Sequence, residues 1–172
     1  GDLYVEIAPS LAAAVLPGLD VLEHYPYECT EQTLSRFLPN LEAYRALQDL
    51  GLETPDLQAR LERTLNEGIQ RLVARQNDDG GWGWWSTFSL AGNLSDPYIT
   101  AYVLFGLNRA RDAGAFVDEG VIQSAVNFLI AAMPSPEMLS DPWQIDRLAF
   151  QYFALSQAGS GNLSGVGVLY ET

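Results

Sequence analysis

Apolar side chains recur every three or four positions along most of the chain, the period expected for helices that pack on one face. Between residues 55 and 76, for example, Leu61, Leu65 and Leu72 fall on a single face. A similar period predicts a helix that begins after Ser10, a residue suited to the N-cap position. Further helices are predicted over residues 30–50, 55–76, 97–113, 118–133 and 142–158. The pattern therefore predicts an all-α fold.

Both ends of the chain depart from this period. Residues 1–9 alternate polar and apolar side chains and predict a short strand that ends at Pro9, which cannot donate a ladder hydrogen bond. We interpret this strand as the tail of a preceding domain. Residues 159–172 lose the helical period, so the sequence predicts no helix there.

Two stretches of the chain resemble each other, residues 95–110 and 140–158. Both open with Ser-Asp-Pro followed by an aromatic residue, which suits an Asp N-cap with Pro in the first helical position. The matching positions that follow are Ala101, Phe105, Leu107 and Ala110 in the first stretch and Ala149, Phe153, Leu155 and Ala158 in the second. Repeated helical pairs of this kind are typical of helical arrays and closed toroids.

A loop rich in Gly, Asn, Ser and Trp is predicted over residues 77–95. Loops of this length are often functional. Its glycines favour turns, however, so its Trp residues are explained more simply as core or turn anchors than as parts of a site. Asp78 and Asp79 could suggest a cation site, although an Asp-Gly turn needs nothing more.

Composition excludes several classes of function. A net charge of -13 and a pI near 4.2 argue against nucleic acid and anionic membranes as partners. The sequence contains neither an uninterrupted apolar stretch long enough to span a membrane nor a recognisable signal peptide. With one Cys and one His, it predicts no internal disulfide, no zinc-type metal site and no cofactor.

The single Cys, Cys29, stands three residues before Gln32. On the first turn of a helix the two side chains would lie on one face, where the helix N-terminus favours negative charge on the sulfur. A thiol and a carboxamide in contact can condense with loss of ammonia to an internal thioester, an electrophile open to amines, hydroxyls and water. Alternatively, Cys29 is a buried free thiol and Gln32 an ordinary helix residue. His24 is explained either as a nearby general base or, more simply, as a helix-end residue.

These residues lie within a wider resemblance. Cys-Thr-Glu-Gln-Thr at residues 29–33, preceded by Tyr-Pro-Tyr, resembles the thioester-containing domain of the α2-macroglobulin and complement superfamily, most of all its bacterial branch. The resemblance extends through residues 78–85 and 96–107 and so covers most of the chain. It implies an α/α toroid of six helical hairpins, of which residues 10–172 would form about half, after a preceding domain that ends with residues 1–9.

The resemblance also implies a site and a function. Cys29 and Gln32 would supply the sulfur and the acyl group of a thioester. Side chains that could shield it from water are Tyr25, Tyr27, Glu28, Glu31 and Trp82. The implied protein is a periplasmic or secreted protease inhibitor, not an enzyme, which captures proteases once and covalently through their surface amines. Its partners would be proteases and other domains of the same protein.

Two departures from the family refine this expectation. Glu28 stands where the family usually has Gly and places an anion beside the thiol. No His follows Cys29, so direct attack by amines is favoured over transfer to hydroxyls. All nine basic residues are Arg, which reflects either codon preference or a chain that cannot label itself, since a neighbouring Lys would consume a reactive acyl group.

Two other functions fit parts of the sequence. Gln76, Gly80 and Trp82 are spaced like the repeat motif of terpene cyclases, which share the toroid, but the Asp-rich acid motif of those enzymes is not apparent. A helical module that binds a partner without covalent chemistry is the other alternative, and reaction with a small amine would distinguish it.

Overall fold

The computed structural model describes residues 29–51, 55–85 and 95–171, and all regular secondary structure in these ranges is helical. The predicted strand at residues 1–9 and the helix after Ser10 lie outside the described residues. In order, the helices are α1 (Thr30–Asp49), α2 (Pro55–Ala74), α3 (Pro97–Asp112), α4 (Glu119–Ala132), α5 (Pro142–Gln157) and α6 (Leu163–Glu171), with a 3₁₀ turn at Pro136–Met138. The all-α prediction is confirmed, and the bounds of α1 to α5 lie within two residues of those predicted.

The helices pack as successive hairpins in two layers. In one layer, α3 lies between α1 and α5 and contacts both. In the other, α2, α4 and α6 each pack against the helix that precedes them. This repeated hairpin arrangement is that of an α/α toroid, as predicted.

The core runs through both layers and is centred on α3. Phe37 and Leu41 of α1, Leu72 of α2 and Leu104 of α3 are almost completely buried and belong to one continuous cluster. Phe150 of α5 extends it, with its ring centroid 5.7 to 6.3 Å from the rings of three aromatic residues of α3. These residues are Tyr98, Tyr102 and Phe105. Apolar burial therefore fixes α3 against both of its neighbours.

The two Ser-Asp-Pro stretches cap their helices differently. Asp96 accepts hydrogen bonds from the backbone N–H groups of Tyr98 and Ile99 at 2.8 and 3.0 Å, as expected for an N-cap. Asp141 has the N-cap backbone conformation and is followed by Pro142, but its side chain makes no capping hydrogen bond. The predicted cap is therefore confirmed in full only at α3.

The helix α6 was not predicted. The backbone N–H of Gly165 donates to Asn162 Oδ1 at 3.0 Å, and the helix packs against α5 and the 3₁₀ turn. None of its residues is buried. Because glycines occupy two of its positions and no apolar face is needed, the segment leaves no helical period in the sequence.

Candidate functional site

The first turn of α1 brings Cys29 and Gln32 together. Cys29 is the N-cap residue, and its Sγ accepts a hydrogen bond from the backbone N–H of Gln32 at 3.3 Å. In return, the backbone N–H of Cys29 donates to Gln32 Oε1, also at 3.3 Å. This is a capping box in which a thiol replaces the usual hydroxyl. Each side chain is thus held against the backbone of the other residue.

The thiol is closed off from solvent, whereas the carboxamide is partly open. Cys29 is a free thiol with 5% of its surface exposed, and Thr30 beside it is 2% exposed. Gln32 is half-buried. The pair therefore presents a shielded sulfur and an acyl group that a small nucleophile could approach.

A backbone carbonyl of the Trp-rich loop closes the end of α1. The N–H of Thr30 donates to the carbonyl oxygen of Trp84 at 3.0 Å, which satisfies one of the free donors at the helix start. The indole Nε1 of Trp84 donates in turn to Asp96 Oδ2 at 3.1 Å. Residue 84 thus links the N-termini of α1 and α3. The sequence pointed to the aromatic side chains of this loop and carried no signal for this carbonyl.

Trp82, a predicted shield, lies in the hydrophobic core. It is completely buried, and its Nε1 donates to the carbonyl oxygen of Leu72 at 2.7 Å. Its backbone N–H donates to Thr100 Oγ1 at 2.9 Å. Trp82 anchors the loop between α2 and α3, in agreement with the simpler interpretation of this residue.

The remaining conspicuous residues of the loop build its turn. Asp79 Oδ1 accepts from the backbone N–H of Gly81 at 2.9 Å and from Ser95 Oγ at 2.7 Å. Gln76 Nε2 donates to the carbonyl oxygens of Gly80 and Val121 at 2.9 and 3.0 Å. In the part of the chain that the structure describes, no group of three or more His, Cys, Asp or Glu side chains could hold a metal ion.

Glu31 takes part in a hydrogen-bonded chain on the face of α1 that meets α3. Ser35 Oγ donates to Glu31 Oε1 at 2.6 Å, and the hydroxyl of Tyr102 is hydrogen-bonded to Ser35. Burial raises the pKa of Tyr102 above its ordinary 10.0; the negative charge of Glu31 adds to this, and the Ser35 hydrogen bond opposes it. Tyr102 is therefore a neutral phenol near pH 7.

An arginine that directly follows α2, Arg75, reaches the same helical turn. Thr33 Oγ1 donates to the carbonyl oxygen of Cys29 at 3.0 Å and accepts from Arg75 Nη1, also at 3.0 Å. This contact brings a positive charge to within two hydrogen bonds of Cys29. The sequence alone did not predict it, because 42 positions separate the two residues that make it.

The other predicted site residues, Tyr25, Tyr27, Glu28 and His24, lie outside the described residues. Their roles stay predictions.

The sequence model of the A-macroglobulin TED domain matches residues 4–137. The chain belongs to this family. Its relatives include the alpha-2-macroglobulins of Escherichia coli, 35% identical over 136 residues, and Thermotoga maritima, 34% identical over 125 residues. These alignments cover 78% and 73% of the chain but only 8% and 7% of the relatives.

Solved structures give the same result. Native E. coli alpha-2-macroglobulin, from domain MG7 to the C-terminus, superimposes with a TM-score of 0.71 and 27% identity over 91% of this chain and 25% of that one. Salmonella alpha-2-macroglobulin reacted with methylamine gives a TM-score of 0.70 and 25% identity over 91% of this chain and 10% of that one. The predicted family and fold of this TED chain are therefore confirmed. In the ranges the structure describes, no helix is long and apolar enough to cross a membrane.

Proposed function

We propose that Cys29 and Gln32 of this TED chain form an internal thioester, and that the chain acts within a protease inhibitor of the α2-macroglobulin type. The observation that carries the proposal is the capping box, in which the buried sulfur and the carboxamide oxygen each accept a 3.3 Å hydrogen bond from the backbone N–H of the other residue on the same helical turn. The methylamine reaction named for the Salmonella relative supports it.

Thioester formation joins Cys29 Sγ to Gln32 Cδ, and the carboxamide nitrogen leaves as ammonia with the thiol proton. An incoming amine then attacks the same carbon, forms an amide and releases the sulfur as a thiolate. The backbone N–H of Gln32 already donates to Sγ, so the departing negative charge finds a hydrogen bond and a helix N-terminus in place.

The reaction consumes its reagent, so the chain acts once and is not an enzyme. The partners of the proposed inhibitor are proteases, captured through surface amines, together with other domains of the same protein. Its membership of the A-macroglobulin family supports a location outside the cytoplasm, in the periplasm or secreted. Cofactors play no part in this chemistry, because the thioester itself supplies the leaving group.

The intact mass before and after incubation with methylamine tests the proposal. We expect a starting mass one ammonia below the sequence value, followed by a gain of one methylamine on Gln32 and a new free thiol on Cys29. A starting mass equal to the sequence value, a thiol that can be titrated before methylamine is added, and no adduct would contradict the proposed thioester. This result would favour the non-covalent module.

Three variants make the result specific. Cys29→Ser and Gln32→Glu each remove one partner and should show neither the ammonia loss nor the adduct. Gln48→Glu removes an exposed carboxamide at the far end of α1 and should behave as the wild type does.

A further inference from the structure

The nine basic side chains of this chain are all arginines, and all nine lie within the described ranges. Apart from its amino terminus, the chain therefore carries no primary amine. Two of the arginines lie near the helical turn that carries the proposed acyl group, where the difference between Arg and Lys has chemical consequences.

Arg75 is the first of these arginines. Its Nη1 donates to Thr33 Oγ1, which itself donates to the carbonyl oxygen of Cys29, and both distances are 3.0 Å. The Thr33 hydroxyl is thereby engaged as donor and acceptor. The guanidinium thus lies next to the turn that would hold the thioester.

Arg36 is the second. It stands four residues after Gln32 in α1, so the two side chains share one face of the helix. Arg36 also lines the cleft between α1 and α2 together with Thr33. Arg36 thus lies one helical turn beyond Gln32 on α1, whereas Arg75, the residue after α2, contacts the first turn of α1 through Thr33.

A guanidinium keeps its proton and offers no free amine, whereas a Lys ammonium loses its proton readily in a partly buried site and becomes a nucleophile. A Lys of similar reach would attack intramolecularly, with an effective molarity that reaches on the order of 10⁵ M for well-oriented groups. Methylamine or a protease amine could not compete with it.

We propose that Arg36 and Arg75 determine the specificity of the thioester: they supply positive charge near the turn that carries the acyl carbon, on side chains that cannot attack it, and so reserve the thioester for amines of other molecules. This inference rests on the proposed function.

The test replaces each arginine in turn, as Arg36→Lys and Arg75→Lys, in the 172-residue chain. The new amine attacks Gln32 Cδ, a C–N bond forms, the C–S bond breaks, and the Cys29 sulfur leaves and takes up the proton. We expect a mass still one ammonia below the sequence value, a free thiol, almost complete loss of methylamine incorporation, and a peptide that joins the substituted position to Gln32.

The control is Arg111→Lys, which places an amine near the C-terminal end of α3, roughly 20 Å along the helix from the end that lies beside Cys29. It should take up methylamine as the wild type does, and a cross-link there would overturn the positional argument.

The two proposals fail in different ways. If the wild type lacks the ammonia loss, the thioester and this inference fall together. If the wild type has it, and both lysine variants either take up methylamine at the wild-type level or carry no thioester and no cross-link, this inference alone is wrong.

Discussion

Thr33 connects the candidate site to the rest of the molecule through one hydroxyl group. It donates to the carbonyl oxygen of Cys29 and accepts from Arg75, so it joins the first turn of α1 to the end of α2. Thr33 is only 9% exposed, so water cannot readily replace either bond. The hydroxyl therefore contributes to both the position of Cys29 and that of the guanidinium.

Thr33→Val keeps the shape of the side chain and removes this hydroxyl. Because the guanidinium loses an acceptor in a nearly buried place, we expect the free energy of unfolding to fall by about 1 to 3 kcal/mol. Urea unfolding measures the change.

The matched control is Thr64→Val in α2, where the hydroxyl donates only to the carbonyl oxygen of Arg60 one turn earlier. Such a bond adds little to a helix, so the loss should be within about 0.5 kcal/mol. Equal losses at the two positions would contradict the role given to Thr33.

Some residue contacts follow from sequence and others do not. The pairing of Cys29 with Gln32 is predictable because both stand on one helical turn. The contacts of Trp84 and Arg75 are not, since they join positions far apart in the chain, and a backbone carbonyl has no residue signature. Asp96 and Asp141 belong to the same motif, yet only the side chain of Asp96 caps its helix.

At the scale of elements, helices with a buried face could be predicted and the one without could not. The helix α2 buries a face of regularly spaced leucines, and its bounds agree with the prediction to within two residues. The helix α6 has no buried residue, so its sequence shows no apolar period. The close packing of the two helical layers depends in part on glycines, because a glycine leaves space for a side chain of the neighbouring helix.

Gly68 of α2 shows this. A Cβ there would lie 2.7 Å from Cδ2 of Phe37, whose ring is 2% exposed and cannot move aside easily. We expect Gly68→Ala to destabilise the chain by about 1 to 3 kcal/mol, because the clash outweighs the gain in helix propensity. Thermal unfolding would show a lower midpoint.

Gly167 of α6 provides the opposite case. A Cβ there meets nothing within 4 Å, so Gly167→Ala should be neutral or stabilise by up to about 1 kcal/mol. If the two substitutions had the same sign, close packing between α1 and α2 would not be the reason for Gly68.

At the scale of the whole molecule, buried tyrosines and the net negative charge both lower the stability of the fold at alkaline pH. Burial is the main cause that raises the pKa of Tyr44, Tyr102 and Tyr152 above 10.0. In the unfolded chain these phenols lose their protons first, so the unfolded state binds fewer protons and stability falls as the pH rises above about 10. Each added charge also increases the repulsion within a chain of net charge -13.

We therefore expect the urea midpoint to decline between about pH 10 and pH 12, and Tyr102→Phe to reduce that decline. Tyr170→Phe, at a side chain 91% exposed, is the matched control and should leave the decline unchanged. A decline that is identical in all three proteins would show that Tyr102 does not contribute.

The hydrogen bond between the N–H of Thr30 and the carbonyl oxygen of Trp84 shows that the candidate site depends on distant parts of the chain. Cys29 and Gln32 lie within four consecutive residues, whereas the groups around them come from separate parts of the chain: a hydroxyl from α1, a guanidinium from the residue after α2 and a carbonyl from the loop before α3. A synthetic peptide that spans the pair would reproduce the two functional groups and none of the enclosure. Protection from water thus belongs to the tertiary structure, and every unfolding event removes it.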